Sequence, residues 1–400
     1  MTRKERRIYW FFAIELIGVT FLQKIALPIG DDAGISLALP LMALGVAALL
    51  ALGDLEVDVD KLVLFSIFAF FAAAAHILQV ATFSLAAFAL CVLIYAFTSF
   101  TSTVTRQMYV AILNIFQRLM ICAAGITIIQ NLWQLVFGWP DFFNVENFIP
   151  PSILFPGFTY IQPLYYGANI IKPPGLFLEV SLLSQFLAVA LVIETLFFQR
   201  WGVLGILFVG MLSAFAGSGP LTLLLVAPVV LFRSSAKLVL GAFFAVAIAI
   251  LIVQLSGNME LIYDRLEEFN TPDTSAFLRF TAPLVAFSDY LKDDGWVYRG
   301  IGAGNIEKAP NIVWWAANKL FREYGLLTAL SWLAMLLFAM FKHAPNVILS
   351  ATMLIVFQFM GGYLSIPPVA LLLILLTCIL RVSDATEQTP PGAPFHQSLS

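Results

Sequence analysis

The run LVLFSIFAFFAAAAHILQ at residues 62–79 decides the fold class. It is almost wholly apolar and has about the length that an α-helix needs to cross the hydrocarbon core of a bilayer. Runs of similar length recur from one end of the chain to the other. Of the 400 residues, 61% are hydrophobic and only 11% are charged, whereas about 25% of the residues in a soluble domain are charged. The sequence therefore predicts an all-α, polytopic membrane protein rather than a barrel.

Hydropathy predicts twelve membrane spans in a single transmembrane domain, residues 1–381. The spans are placed at about 8–28, 35–52, 62–79, 81–99, 108–130, 176–198, 202–217, 219–232, 238–256, 322–341, 346–362 and 364–381. The first run follows RKERR, as a signal peptide would, but it lacks a small-residue cleavage site and is interpreted as a retained span. The polar, Pro-rich residues 382–400 are interpreted as a disordered cytoplasmic tail. The three cysteines lie in apolar runs, which argues against a disulfide framework.

The positions of Lys and Arg predict that both termini are cytoplasmic. With a cytoplasmic N-terminus, eleven of the 21 basic residues fall on the cytoplasmic side: Arg3, Lys4, Arg6, Arg7, Lys61, Arg106, Arg200, Arg233, Lys237, Lys342 and Arg381. In the short loops opposite, only Lys24 lies nearby. Two long loops, about 131–175 and 257–321, are then on the outer, periplasmic side.

The two outer loops differ in composition. The first is dense in aromatic residues and prolines, which suits either an interfacial cover for the bundle or a groove for an amphipathic ligand. In the second, Asn270, Thr271 and Pro272 are typical of a helix start. Apolar residues then recur at helical spacing as far as Leu291. We expect this helix to lie on the outer membrane surface and to carry Arg279 in its first turns.

The segment GIGAGN at residues 300–305 is not a dinucleotide-binding fingerprint. It lacks the third glycine and does not follow a convincing strand. Its three glycines, at 300, 302 and 304, permit a tight turn in which the backbone approaches a ligand. Taken alone, the segment is an ordinary turn between helices.

Five short motifs follow one another in a suggestive order: KPPGLFLEV with Lys172 and Glu179, then AFAGSGP, then SAFLRF with Arg279, then GIGAGN, then NKLFREYGLL. This order resembles the O-antigen polymerase and ligase superfamily of bacterial membrane glycosyltransferases, over about residues 170–335. Lys172 stands where that family usually has Arg. Pro310 and Asn311 stand where the ligases have a His-Asn pair, so the resemblance is closer to the polymerases.

The resemblance implies a GT-C-like enzyme of the bacterial inner membrane that makes O-antigen, capsule or exopolysaccharide. Its partners would be undecaprenyl-pyrophosphate-linked glycans as donor and acceptor, together with a chain-length regulator or export machinery, and no nucleic acid. An acceptor hydroxyl would attack the anomeric carbon with inversion, without a metal or any other cofactor. The departing pyrophosphate develops negative charge, which Arg and Lys stabilise.

The candidate pyrophosphate contacts implied by this chemistry are Arg279, Lys172, Arg299, Lys319 and, from the resemblance, Asn311. Each has a structural alternative. Arg279 could pair with Glu267 or Asp273, and Lys172 could reach the lipid headgroups. Lys319 and Glu323 are four residues apart on one helical face, as are Asn318 and Arg322. They therefore form either simple ion pairs or, with Glu323 as base or orienting group, part of the active site.

Arg118 and Glu179 are the remaining candidates. Arg118 lies deep in the fifth span, so we expect it to face the bundle interior. There it would pair with Glu15 or contact the lipid phosphate. Glu179 is interpreted as either an acid/base group or a carboxylate at a helix N-terminus.

Two other functions remain open. A ligase would pass a finished glycan to lipid A or another acceptor. A transporter or flippase would place polar groups and broken helices near the membrane midplane, often in repeated halves. We find no internal repeat.

Overall fold

The computed structural model describes residues 1–28, 34–78, 84–138, 143–156, 162–163, 170–231, 254, 263, 267–274, 276–292, 296–306, 312–359 and 367–383. The predicted span 238–256 lies almost wholly outside these ranges, as do Asn311 and all but two residues of the tail 382–400.

The described part of the chain is mostly helical. Its α-helices are α1 Arg3–Phe21, α2 Ala38–Ala51, α3 Val59–Leu78, α4 Leu85–Ala96, α5 Arg106–Phe137, α6 Val180–Ile193, α7 Trp201–Ser213, α8 Ser218–Leu231, α9 Ala282–Tyr290, α10 Trp296–Arg299, α11 Ala316–Tyr324, α12 Leu326–Phe341, α13 Val347–Phe359 and α14 Pro367–Leu373. π-Helical turns at Glu194–Phe198, Phe277–Thr281 and Ile374–Cys378 extend α6, precede α9 and extend α14.

Seven short strands connect the helices: β1 Ala26–Pro28, β2 Gly34–Ser36, β3 Glu56–Val57, β4 Phe100–Val104, β5 Gln162–Pro163, β6 Ile171–Lys172 and β7 Leu380–Val382. The pairs β1–β2, β3–β4 and β5–β6 are antiparallel, and β4–β7 is parallel. With at most five residues each, the strands lie between helices and do not form a separate layer.

In the described part of the chain, three helical segments are long and apolar enough to cross a membrane: α3, α5 and the continuous segment Val180–Phe198. The other apolar helices are shorter. A described helix lies at each predicted span except 238–256, of which the structure describes residue 254 alone. A mostly helical protein with helices able to span a membrane is therefore confirmed, while the count of twelve spans stays a prediction.

The helix ends gather at two opposite ends of the bundle. At the end that holds the β3–β4–β7 sheet, which we call the sheet end, Arg7 forms a two-pronged ion pair with Asp54. There too, Lys342 Nζ lies 2.9 Å from Asp58 Oδ1 and 2.7 Å from Asp60 Oδ2. Helix α1 therefore starts at the sheet end. Strand β7, which is close to the last described residue, lies at the same end. The opposite end, which carries the long loops, we call the loop end.

Ion pairing at the sheet end shifts the titration of its carboxylates. The hydrogen bond from Arg7 lowers the pKa of Asp54. Burial tends to raise the pKa of Asp58, but hydrogen bonds from Lys342 and from the Lys61 backbone outweigh it, so that pKa is also lowered. Both carboxylates are thus held ionised, which ties the first turn of α1 and the end of α12 to the loop between α2 and α3.

The centre of the bundle is α6, in which every residue is buried. A helix that is apolar on all sides is typical of such a position. It packs against α5, α7, α8 and α13. The tip of the α7–α8 hairpin is bound to the first turns of α6. Ser218 Oγ donates to Ser181 O at 3.0 Å, and Gly219 N donates to Ser184 Oγ at 3.1 Å. Ser218 and Gly219 at the hairpin tip are thus buried against α6.

Two sequence predictions are wrong in detail. The predicted tenth span, 322–341, is broken at Gly325, which separates α11 from α12 with φ +84° and ψ 175°. The break is enforced by packing, since a Cβ on Gly325 would lie 2.2 Å from Tyr298 O. The predicted start of the outer helix at residues 270–272 is wrong, because residues 268–274 form turns and bends, Asp273 has a left-handed φ of +65°, and the chain is helical at Ala276.

Candidate functional site

Helix α11 carries the most unusual charged groups at the loop end. Lys319 and Glu323 lie four residues apart on this helix and are only 7% and 4% exposed. The same helix buries Leu320, Phe321 and Tyr324. A Lys and a Glu are almost never buried in proteins unless their charges are compensated. Both side chains are buried on a nine-residue helix that ends at Gly325, which distinguishes them from an ordinary exposed i,i+4 pair.

The glycine loop at residues 300–305 wraps around the C-terminal end of α11. Ile301 N donates to Arg322 O at 2.9 Å, and Gly302 N donates to Glu323 O at 3.0 Å. These bonds satisfy carbonyl groups that a helix end would otherwise leave unpaired. Gly304 N donates to the carboxylate oxygen Oε1 of Glu323 at 2.9 Å. The loop therefore caps α11 and orients the Glu323 carboxylate.

The three glycines of this loop are required by its conformation. Gly300, Gly302 and Gly304 have φ values of +70°, +95° and +76°, a region that other residues adopt at a cost. A Cβ on Gly300 would lie 2.3 Å from Glu323 O, and one on Gly304 would lie 3.0 Å from the Ser84 side chain. The predicted tight turn is confirmed, and its backbone closely approaches α11 and the start of α4.

Arg279 is brought to the start of the same helix. Trp315, which immediately precedes α11, donates its indole N–H to Arg279 O at 2.9 Å. Just before these two residues, Val313 N donates to Leu278 O at 3.0 Å. The Arg279 side chain is half-buried.

Aromatic contacts hold α9 against α11 beyond this point. The rings of Phe287 and Phe321 meet edge to face at 5.2 Å. The Arg322 guanidinium lies 3.4 Å from the centre of the Tyr290 ring, a cation–π contact. The outer helical segment is thus fixed along the length of α11, and Arg279 is fixed with it.

Arg299 completes this group from the side of the glycine loop. It is the last residue of α10, is exposed, and directly precedes Gly300. A Cβ on Gly325 would lie 2.9 Å from Arg299 N, so the backbone there touches the junction of α11 and α12. We call Arg279, Arg299, Lys319 and Glu323 the α11 site. Three separate stretches of the chain supply these four predicted residues: the backbone of Arg279 lies at the start of α11, and that of Arg299 lies at its end.

Sequence reasoning missed three residues that support the α11 site. Gln358 of α13 accepts a hydrogen bond from Ala317 N at 3.1 Å and so caps the start of α11. Ser84 N donates to Ala303 O at 3.0 Å, which joins α4 to the glycine loop. His76 stacks on Phe88 of α4 at 5.6 Å, one turn after Ser84. Only Ser84 had a sequence signal, as the residue before an apolar run; Gln358 and His76 lie inside apolar runs.

A second polar group at the loop end is built around Lys24. This side chain is 1% exposed; its Nζ lies 2.8 Å from Glu146 Oε2 and 2.9 Å from Gly175 O. Gln134 of α5 exchanges two hydrogen bonds with the Ile171 backbone, at 2.8 and 3.2 Å. These contacts bind the aromatic-rich first outer loop to α1 and α5, and they support its interpretation as a cover for the bundle.

Lys172 and Glu179 lie on the segment that the Lys24 group holds. Lys172 pairs with Gln162 in the β5–β6 ladder and is half-buried. Glu179 is the N-cap residue of α6, is half-buried and makes no side-chain capping bond. The neighbouring Leu178 N donates to Gln23 Oε1 at 3.3 Å. Both predicted residues therefore lie at the loop end, on a different segment from the α11 site.

The expectation that Arg118 faces the bundle interior and pairs with Glu15 is wrong. Arg118 is exposed on the outside of α5 and does not face the bundle interior. Glu15, its expected partner, is buried on α1 with a side-chain oxygen 3.5 Å from the Cβ position of Gly45 on α2. The rotation of α5 about its axis decides this outcome. Its buried face carries Phe116, Gln117 and Met120, with Arg118 turned away.

The described residues contain no group of three or more His, Cys, Asp or Glu side chains placed to hold a metal ion. Comparison of the chain with protein-family models, curated proteins and solved structures gives no match. The resemblance to O-antigen polymerases therefore depends on the motifs in the sequence alone.

Proposed function

We propose that the protein is a membrane glycosyltransferase that polymerises polyprenyl-pyrophosphate-linked oligosaccharides at the loop end of the bundle. The acceptor hydroxyl attacks the anomeric carbon of the donor glycan. A new C–O bond forms as the bond to the pyrophosphate oxygen breaks, and the pyrophosphate lipid leaves with the electron pair. The hydroxyl proton passes to a base, and the configuration inverts.

The observation that carries this proposal is the burial of Lys319 and Glu323 beside the glycine loop. The Gly304 N–H orients the Glu323 carboxylate through a hydrogen bond of 2.9 Å. A general base needs such orientation, because it must accept a proton from a defined direction. Lys319, one helical turn away, offers a cation on the same helix. An acid–base group and a cation are thus held together on one short helix.

Arg279 and Arg299 suit the role of pyrophosphate contacts. A departing pyrophosphate needs preorganised cations, and Arg holds phosphate oxygens by two parallel hydrogen bonds. The indole of Trp315 fixes the backbone of Arg279 at the start of α11. Lys172 would add a contact from the other loop-end segment. This arrangement favours a polar site at one end of the bundle over a path through its middle.

The finer parts of the proposal follow from the resemblance and from the charge distribution. The loop end would face the periplasm of a bacterium, with both termini in the cytoplasm. The product would be O-antigen, capsule or exopolysaccharide. A polymerase is favoured over a ligase because Pro310 replaces the ligase histidine.

The proposal is tested with purified protein and lipid-linked repeat units. Arg279→Ala should lower the elongation rate about a hundred- to thousandfold, the usual effect of removing one such contact, and Glu323→Gln should have a similar effect. Lys292→Ala is the matched control, because Lys292 lies on the same outer segment, is exposed and pairs with the nearby Asp289. Normal chain length with Arg279→Ala, in a protein that folds normally, would refute the assignment of the site.

A transporter is the second candidate, and one observation favours it. Glu15 is 1% exposed near the middle of α1, and its Oε2 has no hydrogen-bond partner in the described part of the chain. Buried carboxyls of this kind are typical of proton and ion pathways. Counterflow of a small substrate into proteoliposomes, without any glycan product, would support this function and count against the polymerase.

A further inference from the structure

Helix α4 presents a row of small side chains to the glycine loop. Ser84, Ala87 and Cys91 are spaced three and four residues apart, so they lie on one face of the helix. The Cβ atoms of Ser84 and Ala87 lie 3.0 and 3.4 Å from the position that a Cβ on Gly304 would occupy. Ser84 N also donates to Ala303 O at 3.0 Å. We call Ser84, Ala87 and Cys91 the α4 wall, and its first two residues hold the glycine loop.

The α4 wall also contacts the last turn of α11. Tyr324, which is 2% exposed, shares a side-chain hydrogen bond with the buried Cys91. Lys319 and Glu323 lie close enough to Cys91 for their charges to act on its thiol. One face of α4 therefore touches both the glycine loop and the helix that carries the α11 site.

Gly304 lies between the α4 wall and the Glu323 carboxylate. On one side it approaches Ala87, and on the other its N–H donates to Glu323 Oε1 at 2.9 Å. The loop is also bonded to the α11 backbone, because Gly302 N donates to Glu323 O at 3.0 Å. A hydrogen bond weakens steeply as its distance and angle depart from the optimum. The direction in which the carboxylate points is thus set by the space between α4 and the loop.

We propose that Ala87 is a positioning residue of the transfer reaction, because its single methyl group leaves the space in which Gly304 orients the Glu323 carboxylate. The inference rests on the function proposed above, in which Glu323 takes the proton of the acceptor hydroxyl. A general base must lie within hydrogen-bond reach of that proton, and a misplacement of about 1 Å can cost a hundredfold in rate. Ala87 acts through Gly304 and not by binding substrate.

The test compares Ala87→Leu with Ala86→Leu in the purified full-length protein, by the elongation of lipid-linked repeat units. Ala86 provides the matched control because it is the adjacent residue of α4 and is exposed. Ala87→Leu should lower kcat about ten- to a hundredfold and leave KM for the lipid-linked repeat unchanged, since the cations that would bind pyrophosphate are not displaced. Ala86→Leu should keep the wild-type rate, and the conservative variant Ala87→Ser should keep most of it.

A double-mutant cycle separates positioning from general damage to the fold. Ala87→Leu is combined with Glu323→Gln, which removes the base. If Ala87 acts through Glu323, Ala87→Leu has no carboxylate left to misdirect, and the double variant should be as active as Glu323→Gln alone. A purely structural effect would instead lower the rate by the same factor in both backgrounds.

Hydrogen exchange of the glycine loop tests the geometry without reference to the reaction. Mass spectrometry of a peptide that contains residues 300–306 reports the protection of the Gly304 N–H from exchange. Exchange of this amide should be about tenfold faster in Ala87→Leu than in the wild type, which corresponds to about 1.4 kcal/mol. It should be unchanged in Ala86→Leu.

Four results would overturn the inference: wild-type kcat in Ala87→Leu, a change in KM in place of kcat, equal factors in the two backgrounds of the cycle, and unchanged hydrogen exchange in Ala87→Leu. Failure of the proposed function gives a different result. If the wild-type protein does not elongate lipid-linked repeats, the catalytic role of Ala87 falls with that function, whereas faster exchange in Ala87→Leu would still show that α4 sets the position of Gly304.

Discussion

Replacing Gly300 by Ala tests whether the glycine loop holds the α11 site together. Gly300 has a φ of +70°, and a Cβ at this position would lie 2.3 Å from Glu323 O and 2.6 Å from Tyr324 N. Both atoms belong to the backbone, so no side-chain rotation relieves the contact. The loop must move away from α11, and the hydrogen bond from Gly304 N to the Glu323 carboxylate is strained with it.

The expected loss of folding free energy in Gly300→Ala is the sum of two costs. A left-handed conformation costs a non-glycine residue about 1–2 kcal/mol. Overpacking of a close contact costs about 1–3 kcal/mol more. Gly53 isolates the first term, because its φ of +68° is almost the same and a Cβ there would meet nothing within 4 Å. We therefore expect Gly300→Ala to destabilise the protein by about 1–3 kcal/mol more than Gly53→Ala.

The free energies of unfolding of the two variants should be measured by titration with sodium dodecyl sulfate in mixed micelles. Elongation of lipid-linked repeats is measured on the same preparations. Gly300→Ala should lose activity even where it is folded, whereas Gly53→Ala should keep it. If the two variants have the same free energy of unfolding, the close approach of the loop to α11 is refuted.

Two further predictions concern helix packing and pH. Gly210→Ala should destabilise the α5–α7 contact by about 1–3 kcal/mol, because its Cβ would lie 2.5 Å from Ala124 Cβ. Gly205→Ala on the same helix meets nothing within 4 Å and should be neutral or stabilising by up to about 1 kcal/mol; SDS titration should give opposite signs for the two. The Arg7 hydrogen bond lowers the pKa of Asp54 below its ordinary 3.8, so this carboxylate stabilises the protein above that pH and loses its effect as the pH falls through the lowered value. Asp54→Asn should therefore be less stable than wild type at pH 7, and unfolding curves at decreasing pH should converge only below about pH 4.

The residues that were predicted correctly carry signals within their own stretch of the chain. The apolar run at 62–79 predicts α3 because apolar length is what a spanning helix needs. Lys319 and Glu323 were predicted to share a helical face because their spacing of four guarantees it once a helix forms. The glycines at 300, 302 and 304 indicated a backbone that turns tightly, and all three have positive φ.

The errors arose where a neighbouring segment decides the conformation. The sequence NKLFREYGLLTALSWL has the pattern of one continuous helix, since a single Gly inside a helix costs only about 1 kcal/mol. The helix breaks at Gly325 because the Tyr298 carbonyl fills the space that a side chain at this position would need. The sequence of the helix itself does not indicate this contact with Tyr298.

The sequence by itself therefore determined that this is a helical protein with segments able to cross a membrane. It also determined that charge is concentrated in the stretch around α11. Only the tertiary structure decided which charges are buried and which face outward. A pair of Arg118 with Glu15 was one of two alternatives from the sequence, but Arg118 is exposed on α5 and Glu15 is buried on α1. The physical reason is that an apolar run specifies that a helix crosses the membrane, whereas its rotation about its own axis is set by packing against its neighbours.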